Sequence, residues 1–383
     1  MRWPRVQIRH VAQFHYGESL PAESRADGGV PVFGSNGQVG VHDRALSIGP
    51  TIVIGRKGSM GRLQYSSVPV FPIDTTYFID VTVTRANLRW LYYALGAANL
   101  HTLGQDVGVP GLNRDSAYSQ RIPLPPPVEQ RAIADFLDAE TARIDALIAK
   151  KRDLIRLSEE RVAALTDLVI WSSDGTPTPL MHLVPARRQI MYGIVLPGPN
   201  VEDGVPIVKG GSVKAHRLKL GVLSRTTSEI DAGYTRSRLK AGDLVFAIRG
   251  GVGDVEIVPE EVAGANITQD VARVAASDAV STRWLLHALR SPTTQADVAS
   301  RVTGAAIRGI NIWDLERVRV PVPSSEDQLR LSKRLDEATA LHEHLALRLA
   351  RQIGLLTERR QALITAAVTG ELDLAGRIAE DIS

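Results

Sequence analysis

Four glycine-rich turns carry most of the side chains in this 383-residue sequence that could meet a charged polymer. In the first half, Gly34-Ser35-Asn36-Gly37 precedes His42, and Gly55-Arg56-Lys57-Gly58-Ser59-Met60-Gly61-Arg62 follows a β-rich run. In the second half, Lys209-Gly210-Gly211-Ser212 with Lys214, His216 and Arg217 takes the first place, and Arg249-Gly250-Gly251-Val252-Gly253 the second. Glycine lets backbone amides approach a phosphate chain closely; arginine and lysine neutralise it, and Ser, Asn and Arg side chains can read base edges. The candidate contacts are Ser35, Asn36, His42, Arg56, Lys57, Arg62 and Arg114 in the first half. Lys209, Lys214, Arg217, Arg249, Arg308 and Asn311 are their counterparts in the second. Any one such turn is more often a plain solvated loop. Two of a kind at matching places in both halves shift the balance.

No constellation supports a reaction. There is no GxxxxGK[ST] loop, no GxGxxG opening a helix after a strand, and no Asn/Asp-Pro-Pro-aromatic motif. His342 and His344 stand two apart on a helical stretch, which puts them on different faces and makes a poor metal pair. Asp254 and Glu256 lack a lysine at nuclease-like spacing. With zero cysteines there is no disulfide, thiolate metal site or thiol nucleophile. No cofactor or metal is expected. The net charge is +3 with a pI near 9.1, a weak pointer to nucleic acid by itself. No apolar run approaches the ~20 residues of a membrane span, so a cytoplasmic protein without a membrane partner is expected.

The matching turns belong to a longer repetition. Tyr16-Gly17 returns as Tyr192-Gly193, and Val30-Pro31-Val32 as Val205-Pro206-Ile207. Arg89-Trp90-Leu91 returns as Arg283-Trp284-Leu285, and Pro123-Leu124-Pro125 with Glu129-Gln130 as Pro321-Val322-Pro323 with Asp327-Gln328. The offset grows from 175 (Val30 to Val205) to 198 (Gln130 to Gln328), so the second copy carries small insertions. A unit this long is a whole domain plus a helix, far beyond solenoid periods of about 20–50 residues.

Each copy reads as a mixed α/β module followed by a long helix. Strands are expected at 51–54, 77–81, 243–248 and 256–258, and module helices over 89–100 and from 282. The proline run 123–127 reads as a stiff stop before a helix over 128–171. That helix carries an apolar stripe including Ile133, Leu137, Ile144, Leu147 and Leu154. The second long helix opens with Ser325 and Gln328 as a capping box, carries Leu335, Leu345, Leu349, Leu356 and Leu363, and stops at Gly370. Some 44 residues span roughly 65 Å. Stripes that long need partners of similar length. They are expected to pair antiparallel within the chain, with self-association of two chains as the alternative.

With these motifs in place, the chain resembles the specificity subunit of type I restriction–modification enzymes over nearly its whole length. The carrying residues are Tyr16-Gly17-Glu18-Ser19-Leu20-Pro21, Val32-Phe33-Gly34-Ser35-Asn36-Gly37, and the proline run leading into Val128-Glu129-Gln130 with Ile133 and Phe136-Leu137. The terminal Ala362-Leu363-Ile364-Thr365-Ala366-Ala367-Val368-Thr369-Gly370 completes them. The resemblance implies an α+β chain: two similar α/β target recognition domains separated by two long helices that pair as an intramolecular antiparallel coiled coil. The corresponding divisions are 1–127 and 173–325 for the recognition domains, 128–172 and 326–372 for the helical regions, and a tail over 373–383. It also implies double-stranded DNA as ligand, one half of a bipartite asymmetric target per domain, and no enzymatic activity in the subunit itself. Two methyltransferase subunits would dock on the helices, and two motor-endonuclease subunits would join them. The rival from another class is a coiled-coil scaffold joining two protein partners without reading DNA.

Overall fold

The expected strands form, and they form twice in one topology. The computed structural model describes residues 2–103, 111–304 and 308–372; the tail expected over 373–383 lies outside them. The chain divides into two compact units that do not follow chain order: residues 1–151 with 350–383, and residues 152–349.

In the first unit, β1 (Arg5–Gln7) precedes β2 (His15–Tyr16), β3 (Val30–Gly34), β4 (Gly37–His42) and β5 (Thr51–Gly55). β6 (Leu63–Ser66), β7 (Phe71–Pro72) and β8 (Thr76–Asp80) lead to α1 (Leu88–Ala97), the short α2 (Arg114–Ser119), β9 (Arg121–Pro123) and α3 (Pro127–Trp171). The strands make a four-stranded sheet β2-β8-β5-β6, a three-stranded sheet β4-β3-β7 with β3 and β7 parallel, and a β1-β9 pair. Thr51 to Gly55 are wholly buried, which is why a β-branched run occupies the middle of the larger sheet. Ile52 and Ile54 share a core with Trp90, Leu91 and Leu95 of α1 and Ile133 and Leu137 of α3.

The second unit repeats this arrangement. After β10 (Thr176–Pro179) come β11 (Met191–Tyr192), β12 (Val205–Val208), β13 (Ser224–Thr226), α4 (Ser228–Ala232), β14 (Leu244–Ala247) and β15 (Val255–Ile257). Then follow β16 (Asn266–Ile267), β17 (Val271–Val274), α5 (Thr282–Arg290), α6 (Pro292–Ser300), α7 (Ile312–Leu315), β18 (Arg319–Val322) and α8 (Ser325–Thr369). The sheets are β11-β17-β14-β15, β13-β12-β16 with β12 and β16 parallel, and β10-β18. Leu244 and Phe246 of β14 join a core with Trp284, Val169 and Leu335, while Val245 and Ala247 face a second cluster around Val208, Leu239 and Val262. Burial on both faces is what an uninterrupted apolar strand requires.

The repeated sequence landmarks are the joints between module and long helix. Asn87 and Ser281 cap α1 and α5 by accepting from the Trp90 and Trp284 amides at 2.9 and 3.0 Å. In a capping box the N-cap's own N–H is met from within its helix. In this protein a glutamine of the following long helix does it. Gln130 Oε1 accepts from the Asn87 amide at 2.9 Å and its Nε2 donates to the Pro125 carbonyl at 2.9 Å. Gln328 repeats the arrangement, accepting from the Ser281 amide at 2.7 Å and donating to the carbonyls of Pro323 (3.0 Å) and Ala279 (3.2 Å). Gln328 is therefore no part of a capping box with Ser325. Ser324 caps α8, its hydroxyl accepting from the Asp327 amide at 3.2 Å. Eight residues along each helix an aspartate holds the module again: Asp138 takes Arg89 (2.5 Å) and Tyr93 (2.6 Å), and Asp336 takes Arg283 (2.8 Å) and His287 (2.8 Å).

The long helices pair antiparallel within each unit. In the first, Asp145 meets Arg360 (3.0 Å) and Lys151 meets Gln352 (2.6 Å), so partners on α8 fall as residues on α3 rise. In the second, Ser158 meets His342 at 3.0 Å, while Val169 and Ile170 share a core with Leu335. The seam of α3 runs through Leu137, Thr141, Ile144, Ile148, Lys151, Ile155, Ser158 and Val162, each buried or half-buried, at alternating steps of three and four. Ile133, Leu137, Ile144, Leu335 and Leu349 are buried as expected, and Leu356 and Leu363 are half-buried. Leu147, Leu154 and Leu345 are corrections: they are 47%, 52% and 38% exposed. Lys151, Ser158 and His342 occupy seam positions by polar contact, so a stripe drawn through every leucine slips one residue off it. Gly370, at φ +78°, ends α8 as expected.

Replacing Gln130 with alanine strands a backbone N–H and one C=O, and replacing Gln328 an N–H and two, at a cost of about 1–3 kcal/mol each. Faster hydrogen exchange at the start of α1 or α5 and a lowered Tm are expected; unchanged exchange would contradict the joint. A second outcome concerns pH. Burial lowers the His287 pKa below its ordinary 6.5 despite Asp336, so the unfolded chain binds the proton more readily than the folded one. Stability then falls as pH drops through the ordinary histidine range. A melting series from pH 7.5 to about 5 should show that loss, and His287→Gln should flatten it.

Candidate nucleic-acid interface

In the first module the turn after β5 is fixed by its own backbone. The Arg56 and Lys57 amides both donate to the Thr75 carbonyl (2.9 and 3.1 Å), and the Gly61 amide returns to the Gly55 carbonyl at 2.8 Å. Gly58 and Gly61 sit at φ +74° and +68°, and a Cβ on Gly61 would stand 2.4 Å from the His101 nitrogen. The β3–β4 turn lies against it. Asn36 Oδ1 accepts from Ser59 Oγ at 3.3 Å and from Arg62, and Gln64 Nε2 donates to the Gly34 carbonyl at 3.0 Å. A third segment is tied in where Leu112 donates to the Arg56 carbonyl at 2.8 Å, carrying Arg114 to the same place. Ser35, Asn36, Arg56, Lys57, Arg62 and Arg114 thus converge on one surface.

The second module builds the same three-part surface from different side chains. The Ile248 and Arg249 amides donate to the Asp270 carbonyl (2.8 and 3.2 Å), and the Gly253 amide to Ala247 at 3.1 Å. A Cβ on Gly210 would lie 2.5 Å from the Arg249 carbonyl oxygen, which places the Lys209-Gly210-Gly211 turn directly on it. Arg217 donates to the Gly211 carbonyl at 3.1 Å, and Lys214 lies 3.9 Å from Asp254. Ile310 donates to the Ile248 carbonyl at 3.1 Å, bringing Arg308 and Asn311 close. Lys209, Lys214, Arg217, Arg249 and Arg308 are exposed.

One candidate belongs to the scaffold instead, and another is exposed but engaged as a helix cap. His42 is 8% exposed; its Nδ1 accepts from the Ala26 amide at 3.1 Å and its ring meets Phe71 edge-on. The hairpin register explains the error: Gly34 pairs with Gly37 beside the turn, but His42 pairs with Val30 at the far end. Asn311 caps α7, accepting from the Asp314 amide at 2.8 Å while its Nδ2 donates to the Asp314 carboxylate at 2.6 Å. Conversely, Tyr16 and Tyr118, which flank Arg114 at 5.1 and 5.9 Å from ring centroid to Cζ, were not among the candidates. The repeated Tyr-Gly pair was the available signal for Tyr16. Among the described residues no cluster of acidic and histidine side chains could hold a metal ion, and no helix is long and apolar enough to cross a membrane.

Residues 2–157 match the family model for the type I restriction modification DNA specificity domain, an extent that covers the first module and runs well into α3. Over 350 residues the chain is 25% identical to the type I restriction enzyme EcoBI specificity subunit of Escherichia coli, covering 84% of this chain and 73% of that protein. A solved structure describing complex assembly and conformational transition of the type I R-M system contains a chain of the same fold. That match has a TM-score of 0.72 at 16% identity and covers 97% of this chain and 98% of that one.

The glycine geometry predicts unequal substitution costs. Gly61→Ala forces Cβ into the His101 backbone and should destabilise the protein by more than the ~1 kcal/mol of backbone strain alone. Gly250→Ala, at a similar positive φ (+74°) but with open space around it, should cost only that strain. Paired melting curves check this; equal losses would show that the Gly61 turn is not wedged against residues 100–101.

Proposed function

We propose that the chain is a specificity subunit of a type I restriction–modification system and reads a bipartite, asymmetric DNA target for it, a reading supported by the match of residues 2–157 to the specificity-domain family. The subunit is non-catalytic. Each recognition module takes one half-site. The observation that carries this reading is the twofold occurrence of one three-segment loop surface with different side chains on each copy. Identical surfaces would favour a palindrome; Asn36, Lys57 and Arg62 on one and Lys209, Arg217 and Arg249 on the other favour two unlike half-sites. At about 1–3 kcal/mol per base pair read, a handful of pairs gives ample discrimination.

The long helices serve this reading as spacer and dock. Leu147, Leu154 and Leu168 lie exposed at seven- and fourteen-residue steps along α3, and Leu341, Leu347 and Leu355 along α8, off the seam that joins the helices. Apolar side chains left outside a satisfied seam fit coverage by a partner. The partners proposed are two methyltransferase subunits, joined by two motor-endonuclease subunits in the restricting complex. The modest net charge of +3 fits a subunit whose DNA affinity is completed by backbone contacts from those partners.

Selection from random double-stranded DNA, using the chain assembled with its methyltransferase subunits, should return two unlike short motifs at fixed spacing. A chain that holds the methyltransferase but selects no sequence would be a scaffold. Inserting one heptad into both 132–161 and 331–360 should lengthen the selected spacer and leave both motifs intact. A changed motif at constant spacing would remove the spacer role.

A further inference from the structure

Tyr16, 46% exposed, ends β2, and two guanidiniums lie against its ring: Arg56 at 5.2 Å and Arg114 at 5.1 Å from the ring centroid. Further rings extend the platform. Arg56 also lies 5.9 Å from Tyr77, Arg114 lies 5.9 Å from Tyr118, and Tyr16 meets Tyr77 edge-on at 5.0 Å. Phe14 backs this group, 5.8 Å from Tyr77 and 5.0 Å from Tyr118. Two like charges on one ring repel each other, so the arrangement calls for an external acceptor. Among the described residues no carboxylate pairs with either guanidinium, and Arg56 Nε is buried without a hydrogen-bond partner. Arg89 shows the contrast: it too lies over tyrosines (Tyr65, Tyr92 and Tyr93), but Asp138 neutralises it.

The second module keeps the tyrosine and drops the charges. Tyr192, 49% exposed, stands where Tyr16 does, but its strand neighbour is Ala272 in place of Tyr77. Ile248 stands in place of Arg56, each preceding the residue that bridges to Gly309 or Gly111. Ile312 stands in place of Arg114, each following the asparagine that caps a short helix. One frame therefore places a pair of cations at these positions in the first module and a pair of isoleucines in the second, where Ile248 is buried in the core and Ile312 packs against it.

We propose that Arg56 and Arg114 read a G·C pair in the first half-site through the major-groove edge of its guanine. The inference rests on the DNA-reading function proposed above. A guanidinium carries donors only. Adenine's major-groove edge adds a donor and thymine's a methyl group, whereas guanine offers two adjacent acceptors, N7 and O6, which the two neighbouring guanidiniums can share. Contact with the Tyr16 ring restrains the guanidiniums before DNA arrives, which lowers the ordering cost of binding. A phosphate needs no fixed plane, and the exposed Lys57 and Arg62 already suit it. The isoleucines of the second module cannot make this contact, so the contact belongs to the first half-site alone.

The test uses selection from random double-stranded DNA by the assembled complex with its methyltransferase subunits, comparing wild type, Arg56→Lys and Arg114→Lys. Lysine keeps the charge and loses the fork. The wild type should select a G·C pair at a fixed position in one half-site, and each lysine variant should lower the preference for that pair by roughly 10- to 100-fold. The unchanged second half-site reports that the variants remain folded. Full retention of the preference, or a uniform loss of affinity across sequences, would assign the arginines to phosphate and overturn the proposal. So would two selected half-sites with no G·C pair that responds to either substitution, an outcome that leaves DNA reading itself standing. Absence of any selected sequence would instead remove DNA reading, and this inference with it.

Discussion

A helix that begins inside a buried joint must have its first amides met by something other than water, and this requirement shapes both halves of the protein. Gln130 and Gln328 meet it by crossing from the long helix to the N-cap of the module helix, while holding the last proline-flanked carbonyls of the preceding strand segment. Three elements are thus joined at one buried side chain: the strand that leaves the module, the long helix that follows, and the helix that closes the core. Because the amide group donates and accepts at once, neither glutamate nor a hydrophobic residue could replace it. The aspartate about two turns further on, Asp138 or Asp336, fixes the angle by holding an arginine of the same module helix.

This explains which parts of the fold were legible in the sequence. The proline run with its glutamine, and the Arg-Trp-Leu motif, stand out because buried polar joints tolerate few alternatives. The long helices were legible from periodicity and the absence of Gly and Pro over 128–171. The seam was not fully legible, because Lys151, Ser158 and His342 hold seam positions through polar contacts that a hydrophobic pattern does not register. The candidate surface was legible as pairs of glycine turns, and the structure brings those turns together in both modules. His42 misled because nearness in sequence to a turn says nothing about which end of the hairpin a residue occupies. The tyrosine platform was invisible for a related reason: Tyr16, Tyr77 and Tyr118 come from three separated segments, and only the fold assembles them.

The two modules also show how one scaffold accommodates unlike surfaces. Strand order, the parallel β3–β7 and β12–β16 pairs, and the positive-φ glycines recur, so the backbone frame is held constant. What varies are the side chains the frame carries: arginines over tyrosine in one copy, isoleucines joined to the core in the other. Divergence on loops anchored by a conserved joint changes what a surface can contact without disturbing how the core packs.

The division into compact units carries a consequence for synthesis. The unit that contains the first strands also contains residues 350–383, and its core includes Ile364, Ala367 and Val368. A ribosome delivers those three side chains only after the whole of the other unit has been made. The earliest-made module therefore spends most of translation with an apolar patch around Ile133 and Leu137 uncovered, and the nascent chain completes its opening unit last.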